Sequence, residues 1–293
     1  MYIHLCMNRN HLRRSAMRLS VLTATLIIVM GCFPWRSPER LHKYTSVEEA
    51  LESGSNAFDV NLYNKGLKEF PADLVRLPNL TNLSLRKNPL GAIPPVIGEL
   101  KNLVWLDLGE TVLTALPEEI GNLSGLRILY LNDNLLTSLP AGIEKLVSLN
   151  YLNLDRNRLT VVPKEVGRLT GLKWLRLNGN QLTGLPPEIG DLSSLKRLYL
   201  RANRITALPL ELAHLSGLTD LSLSDNQLDV IPETIFGLAN LEHLDLERNK
   251  LTALPAGIGK LTNLKWLRLD GNRIPDDEKT RVRTLLPNCH IVF

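Results

Sequence analysis

Leu80, Leu103, Leu126, Leu149, Leu172, Leu195, Leu218, Leu241 and Leu264 recur every 23 residues without an insertion. Two further ladders keep the same period. Asn88, Asn134, Asn157, Asn180, Asn203, Asn226, Asn249 and Asn272 form one, with Thr111 in the step that lacks the amide; Pro71, Pro94, Pro117, Pro140, Pro163, Pro186, Pro209, Pro232 and Pro255 form the other. Chance does not produce three registered ladders, and a sustained period of this length marks a repeat architecture.

In the unit "LRILYLNDNLLTSLPAGIEKLVS", Leu126, Leu129, Leu131, Leu136, Leu139, Ile143 and Leu146 are the apolar positions. The alternation in "LYL" predicts a short strand. The following Asn amide can bond backbone groups that a turn leaves unpaired. "LPAGIEKL" then switches to helical spacing, with proline tolerated in the first turn. One unit cannot bury its own leucines, so units must stack.

The pattern L-x-x-L-x-L-x-x-N-x-L-x-x-L-P-x-x-I-x-x-L-x-x resembles the leucine-rich repeats of the 23-residue class, found in bacterial surface proteins and in scaffolds of the Scribble and Ras-suppressor type. The resemblance spans about residues 57–274, roughly ten repeats. It implies an α/β fold class: a curved solenoid with a parallel sheet on its concave face and short helices or 3-10 turns on its convex face. It implies no particular ligand, because a fold does not carry a function by itself.

The flanks read as caps. Thr45, Ser46, Glu48 and Glu49 offer overlapping capping boxes for a helix whose Val47, Ala50 and Leu51 would cover the first repeat. "PDDEKTRVRTLLPNCHIVF" predicts a helix with an acidic start, Val282, Leu285 and Leu286 inward, then a strand at His290 to Phe293. With both caps present no second domain is expected. The expected organisation is a signal peptide at 1–31, a tether at 32–43, a helical cap at 44–56, repeats at 57–274 and a C-terminal cap helix and strand at 275–293.

The first 31 residues differ in composition. They hold all four methionines, and Arg9, Arg13, Arg14 and Arg18 are their only charges. The apolar run Leu19 to Met30 is too short for a membrane span, which needs about 20 residues, and suits the centre of a secretory signal. "IVMGC" resembles the lipobox of bacterial lipoproteins, which implies acylation of Cys32. A plain cleaved signal with a chance cysteine and an uncleaved anchor are the alternatives, and the start could be Met1, Met7 or Met17. Two or three acyl chains hold a protein on a membrane where a single chain does so only marginally. Phe33 is not the aspartate that retains lipoproteins in the inner membrane in enteric-type sorting, which favours the outer membrane. Without acylation the protein would be secreted.

The formal charge of +4 also belongs to this leader. Four of the 34 basic residues lie in it, leaving 30 against 30 acidic ones from Cys32 onward. That balance removes the general electrostatic case for nucleic acid. "GIGKLT" at 257–262 lacks the earlier glycine of a phosphate loop, Leu254 standing in its place. His42, His214, His243 and His290 have no metal-ligand spacing, and His243 is expected on the exposed strand face. Cys289 is expected as a buried cap residue. No serine or cysteine stands in a nucleophile context. No enzyme activity, metal or cofactor is expected.

Specificity should reside in the strand positions that point away from the leucines: the third, fifth, seventh and eighth of each repeat. Third positions read Asp59, Asn82, Trp105, Ile128, Tyr151, Trp174, Arg197, Asp220, His243, Trp266. The four consecutive apolar ones would form a stripe about 14 Å long at about 4.8 Å per strand, flanked by Tyr130 and Tyr199. Lys173, Arg176, Lys196, Arg197 and Arg201 gather beside it in two repeats; Asp220, Asp225, Glu242, Asp245 and Glu247 gather in the next two. Aromatic and arginine side chains dominate binding hot spots. Trp105, Ile128, Tyr130, Tyr151, Trp174, Arg176, Arg197 and Tyr199 are therefore the candidate contacts for a protein or peptide partner. The same aromatics could instead serve only to cover neighbouring strands. A glycan or cell-wall ligand is the alternative function, since aromatic platforms also stack on sugars; an intracellular signalling scaffold of the Ras-suppressor type is a second, if the N-terminus is no signal.

Overall fold

The computed structural model describes residues 42–293. The expected signal peptide, the acylated Cys32 and the tether up to residue 41 lie outside the described residues.

Every repeat contributes one three-residue strand with a leucine or valine at its centre, and each cap adds one more, two residues long at the N-terminal end and centred on Ile291 at the other. The strands are β1 (Lys43–Tyr44), β2 (Asp59–Asn61), β3 (Asn82–Ser84), β4 (Trp105–Asp107), β5 (Ile128–Tyr130), β6 (Tyr151–Asn153), β7 (Trp174–Arg176), β8 (Arg197–Tyr199), β9 (Asp220–Ser222), β10 (His243–Asp245), β11 (Trp266–Arg268) and β12 (His290–Val292). They form one open parallel sheet in sequence order. Pairing connects equal repeat positions, as in Leu106 with Leu129 and Tyr151 with Trp174. Central residues such as Leu106, Leu129 and Leu152 are completely buried, each contributing about 1.5–3 kcal/mol, while the residues on either side point to the concave face.

The asparagine ladder closes the turn after each strand. Asn157 donates from Nδ2 to the Leu131 and Leu154 carbonyls and accepts the Leu136 N–H at Oδ1, joining two repeats through three backbone groups. The residue before each ladder position takes a left-handed backbone, for example Asp133 at φ 59°, Arg156 at 53° and Gly179 at 65°. Thr111, the ladder's exception, is completely buried, and the chain adapts around it. Val112 becomes left-handed as well, at φ 54°, and Asn134 Oδ1 accepts from both Thr111 N and Leu113 N at 3.0 Å. Lys65, two repeats earlier, shows the same arrangement: Gly66 follows at φ 70°, and Asn88 Oδ1 accepts from Lys65 N and Leu67 N.

Behind each proline the convex side is a 3-10 turn such as Ala141–Lys145, closed by Ile143 N–H to the Pro140 carbonyl at 3.2 Å. Successive turns pack so tightly that a Cβ on Gly121 would collide with the Gly142 carbonyl. Glycine there is a packing requirement.

Helix α1 (Val47–Ser53) begins at Ser46, whose side chain accepts the Glu49 N–H at 3.1 Å, while Glu49 Oε2 accepts from Thr45 N at 3.4 Å. Its Ala50 is buried under the first repeat, with Val47 and Leu51 packed beside it. Just before it, Lys43 lies in β1 rather than in a tether, because Lys43 and Tyr44 pair with Asp59 and Val60. Helix α2 (Asp276–Leu285) buries Val282, is followed by the buried Leu286, and leaves Leu285 partly covered. Strand β12 then closes against β11. Cys289, expected as buried, is only partly covered, because it sits in the turn leading into this last strand. Burial still pushes its thiol up to about 11.

Candidate functional site

The in-register sheet sets the third positions of β4 to β7 side by side, so Trp105, Ile128, Tyr151 and Trp174 form one row. Tyr130, from the fifth position of β5, leans into it. Trp105 packs on Tyr130 with ring centroids 5.9 Å apart, Tyr130 on Tyr151 at 5.1 Å, and Tyr151 on Trp174 at 5.7 Å. The tilted, edge-on geometry is the favoured one for aromatic pairs. The rings cover one another, so that Trp105 and Tyr151 are half-buried and Trp174 is the most open, at 39% exposure. Burial raises the Tyr151 phenol above its ordinary value, although Arg176 pulls it down.

The three remaining predicted contacts finish this row. The Arg197 guanidinium lies 4.6 Å from the Trp174 ring centroid, and that of Arg176 lies 5.4 Å from Tyr199. Arg176 is in turn anchored on the buried Asp155 carboxylate, Nε at 2.7 Å and Nη2 at 2.6 Å. Eight candidate residues predicted from repeat position are thus brought onto one continuous surface over β4 to β8.

Two expectations need correction. Neither the fifth nor the seventh positions all face solvent: Ser84, Asp107 and Asn153 among the first, and Asn132, Asp155, Ser224 and Glu247 among the second, are buried, and Asp155 for one turns onto the next repeat, where it accepts the Asn178 N–H at 2.7 Å. Nor are the basic and acidic groups two opposed patches. At their boundary Arg197 reaches Asp220 at 3.5 Å and Arg201 reaches Asp225 at 2.9 Å. Blocks that look segregated along the chain meet as pairs across adjacent strands. His243 is half-exposed on β10, its Nδ1 3.2 Å from Asp220 Oδ1 but without the alignment of a hydrogen bond.

One feature of this face lies outside the candidate contacts. Trp266, on β11, is 48% exposed, packs on His290 at 4.3 Å and walls a separate hollow reaching back to Tyr199. Its signal in the sequence was the isolated aromatic among third positions.

A leucine-rich repeat family model matches residues 147–205, 170–228 and 216–274, and a leucine-rich repeat region model matches 68–163. The chain belongs to the leucine-rich repeat family. Solved structures agree on the solenoid. The ectodomain of the Arabidopsis thaliana receptor kinase GASSHO1/SCHENGEN3, in complex with CASPARIAN STRIP INTEGRITY FACTOR 2, is 37% identical over 70% of this chain and 26% of its own, with a TM-score of 0.63. The plant peptide hormone receptor RGFR1, in complex with RGF2, is 28% identical over 86% of this chain and 45% of its own, with a TM-score of 0.66. An internalin of Listeria monocytogenes shares the fold at 24% identity over 82% of this chain and 74% of its own, with a TM-score of 0.63. The leucine-rich repeat chain therefore spans less than half of either receptor. No curated protein matches it. Leucine-rich repeats are in general non-enzymatic scaffolds suited to binding proteins. Among the described residues no helix is long and apolar enough to cross a membrane, and no cluster of three or more His, Cys, Asp or Glu side chains could hold a metal ion.

Proposed function

We propose that the protein is a non-enzymatic scaffold that captures a protein or peptide on its concave face, and that acylated Cys32 anchors it at the bacterial envelope, in the outer membrane. The observation that carries the capture reading is the aromatic row Trp105, Tyr130, Tyr151, Trp174, ended by Arg197 stacked on Trp174. Rigid aromatics that pre-order one another lose little conformational freedom on binding, which is what a hot-spot surface needs. Two receptors with related repeats were solved with a named factor or peptide hormone partner bound, which supports a polypeptide over a glycan.

Photocrosslinking from position 174 on intact cells, followed by mass spectrometry, tests the capture. The expected result is a discrete protein adduct that disappears when Trp105 and Tyr151 are replaced by alanine. If no adduct forms, or if only sugar competes it away, the row is strand cover or a glycan platform. Labelling with radioactive fatty acid tests the anchor, and the label should vanish on Cys32→Ala.

A further inference from the structure

The hollow at the C-terminal end of the concave face has a volume of about 320 Å³, at the small end of the range of ligand pockets. That is room for one long side chain. Tyr199 and Trp266 supply aromatic walls, and Asp220 and Asp245 supply carboxylates.

The charges there are unequally satisfied. Arg268, the one permanent cation in the lining, which also holds His243, is ion-paired with the buried Glu247 and lies 3.9 Å from Asp270. Asp220 is shared among the Thr219 hydroxyl at 2.6 Å, His243 Nδ1 at 3.2 Å and Arg197 at 3.5 Å. Asp245 is the exception. Its Oδ1 accepts the Glu247 N–H at 3.1 Å, but its Oδ2 has only the Ser222 hydroxyl at 3.4 Å and Arg268 at 4.0 Å. Aromatic walls around an under-satisfied carboxylate suit a cation. A planar guanidinium suits them better than an ammonium, since it stacks on rings and donates in a fork. The same face already stacks guanidinium groups on rings twice, Arg197 on Trp174 and Arg176 on Tyr199.

We propose that this hollow receives an arginine side chain of the captured polypeptide, its guanidinium lying against Trp266 and donating to Asp245 on the neighbouring strand, with Tyr199 closing the far end of the hollow. The proposal rests on the capture reading and deepens it. From Trp174 on β7 to the hollow between β9 and β10 is about 12 Å at 4.8 Å per strand, or about four residues of extended chain. The partner then carries an apolar residue over Trp174 and an arginine about four positions away.

The test is titration of the full-length chain in detergent with N-acetyl-arginine amide, following the Trp266 indole N–H resonance assigned with Trp266→Phe. Saturable binding is expected, weakened about five-fold or more when the probe is the neutral isostere N-acetyl-citrulline amide. Asp245→Asn keeps the acceptor for the Glu247 N–H and should erase the difference between the two probes; Trp266→Ala, judged on circular dichroism for folding, should weaken arginine binding as a second, independent variant. The variant with Trp105 and Tyr151 changed to alanine, which leaves Trp174 and its Arg197 in place, should bind the arginine probe unchanged, so failure of the row as a capture surface and failure of the hollow are separate results. Equal binding of the citrulline probe, an unaffected Asp245→Asn variant, or tighter binding of tetramethylammonium, which would make the hollow a small-cation site, each overturns the proposal.

Discussion

Arg197 stands directly opposite Trp174 across β7 and β8, its guanidinium 4.6 Å from the ring centroid and its other side 3.5 Å from Asp220. The most open ring of the aromatic row is thus partly shielded by a neighbour that is itself ion-paired. An exposed stack and an exposed pair are each worth about 1 kcal/mol or less. Arg197→Ala should therefore lower stability by no more than about 1 kcal/mol in urea unfolding, while iodide quenching of tryptophan emission rises. A large loss of stability would mean that Arg197 is structural, and unchanged quenching would mean that it does not cover Trp174.

The Asn134 side chain, like Asn88 two repeats earlier, joins more groups than Asn157 does. Oδ1 accepts from Thr111 N and Leu113 N, and Nδ2 donates to the Leu108 and Leu131 carbonyls, all within the core, while the Thr111 hydroxyl donates to the Leu108 carbonyl at 2.6 Å. Asn157 serves only the Leu136 N–H on its acceptor side. Leaving a buried backbone group unpaired costs about 1–3 kcal/mol. Asn157→Ala should cost about 2–3 kcal/mol and Asn134→Ala about 1 kcal/mol more, as read from chemical denaturation of the two variants side by side. Equal costs would show that Thr111 is satisfied without the amide.

The sheet, its register and the aromatic row were legible because each follows from repeat position alone: a residue 23 places on is its neighbour in space. What periodicity does not carry is where a polar side chain finds its partner. Asp155 is buried and holds Arg176, although its position in the pattern is a solvent one, because its carboxylate turns onto the next repeat, where it accepts from the Asn178 N–H and from Arg176. The pairing of Arg201 with Asp225 across β8 and β9 was likewise hidden by reading charges in blocks along the chain. Lys43 and Tyr44 could not be recognised as a strand, since they precede the first complete unit and pair only because Asp59 and Val60 present an open edge.

Val112 carries a backbone conformation that L side chains avoid. Its φ of 54° puts a β-branched residue in the left-handed region, at a cost of about 1–2 kcal/mol, and its side chain is largely exposed and so recovers little by packing. Gly66 occupies the equivalent place two repeats earlier at φ 70°. Glycine there gives back part of the gain, up to about 1 kcal/mol, by loosening the unfolded chain. Val112→Gly should raise stability by about 0.5–1 kcal/mol, visible as a higher denaturation midpoint at unchanged slope. A decrease would mean that the valine side chain makes a contact worth more than the strain.

Acid should unpick the rim of ion pairs in an order set by Asp225. The Arg248 guanidinium above all, with Arg201 beside it, holds this carboxyl down to about 2. An unfolded aspartate titrates near 3.9. Because the folded value is the lower one, the stabilisation is fully present above about pH 4 and is lost as pH falls towards 2. Asp133, lowered by Arg156, and Glu278, lowered by Arg281, lose stabilisation in the same direction, whereas Asp59 and Asp107, raised by burial, act in the opposite sense. Asp225→Asn should therefore melt at a lower temperature than the parent at pH 5, and the gap should close as pH approaches 2, while the remaining acid sensitivity persists. A gap that stays constant between pH 5 and pH 2 would show that Asp225 stabilises through neutral hydrogen bonds and not through its charge.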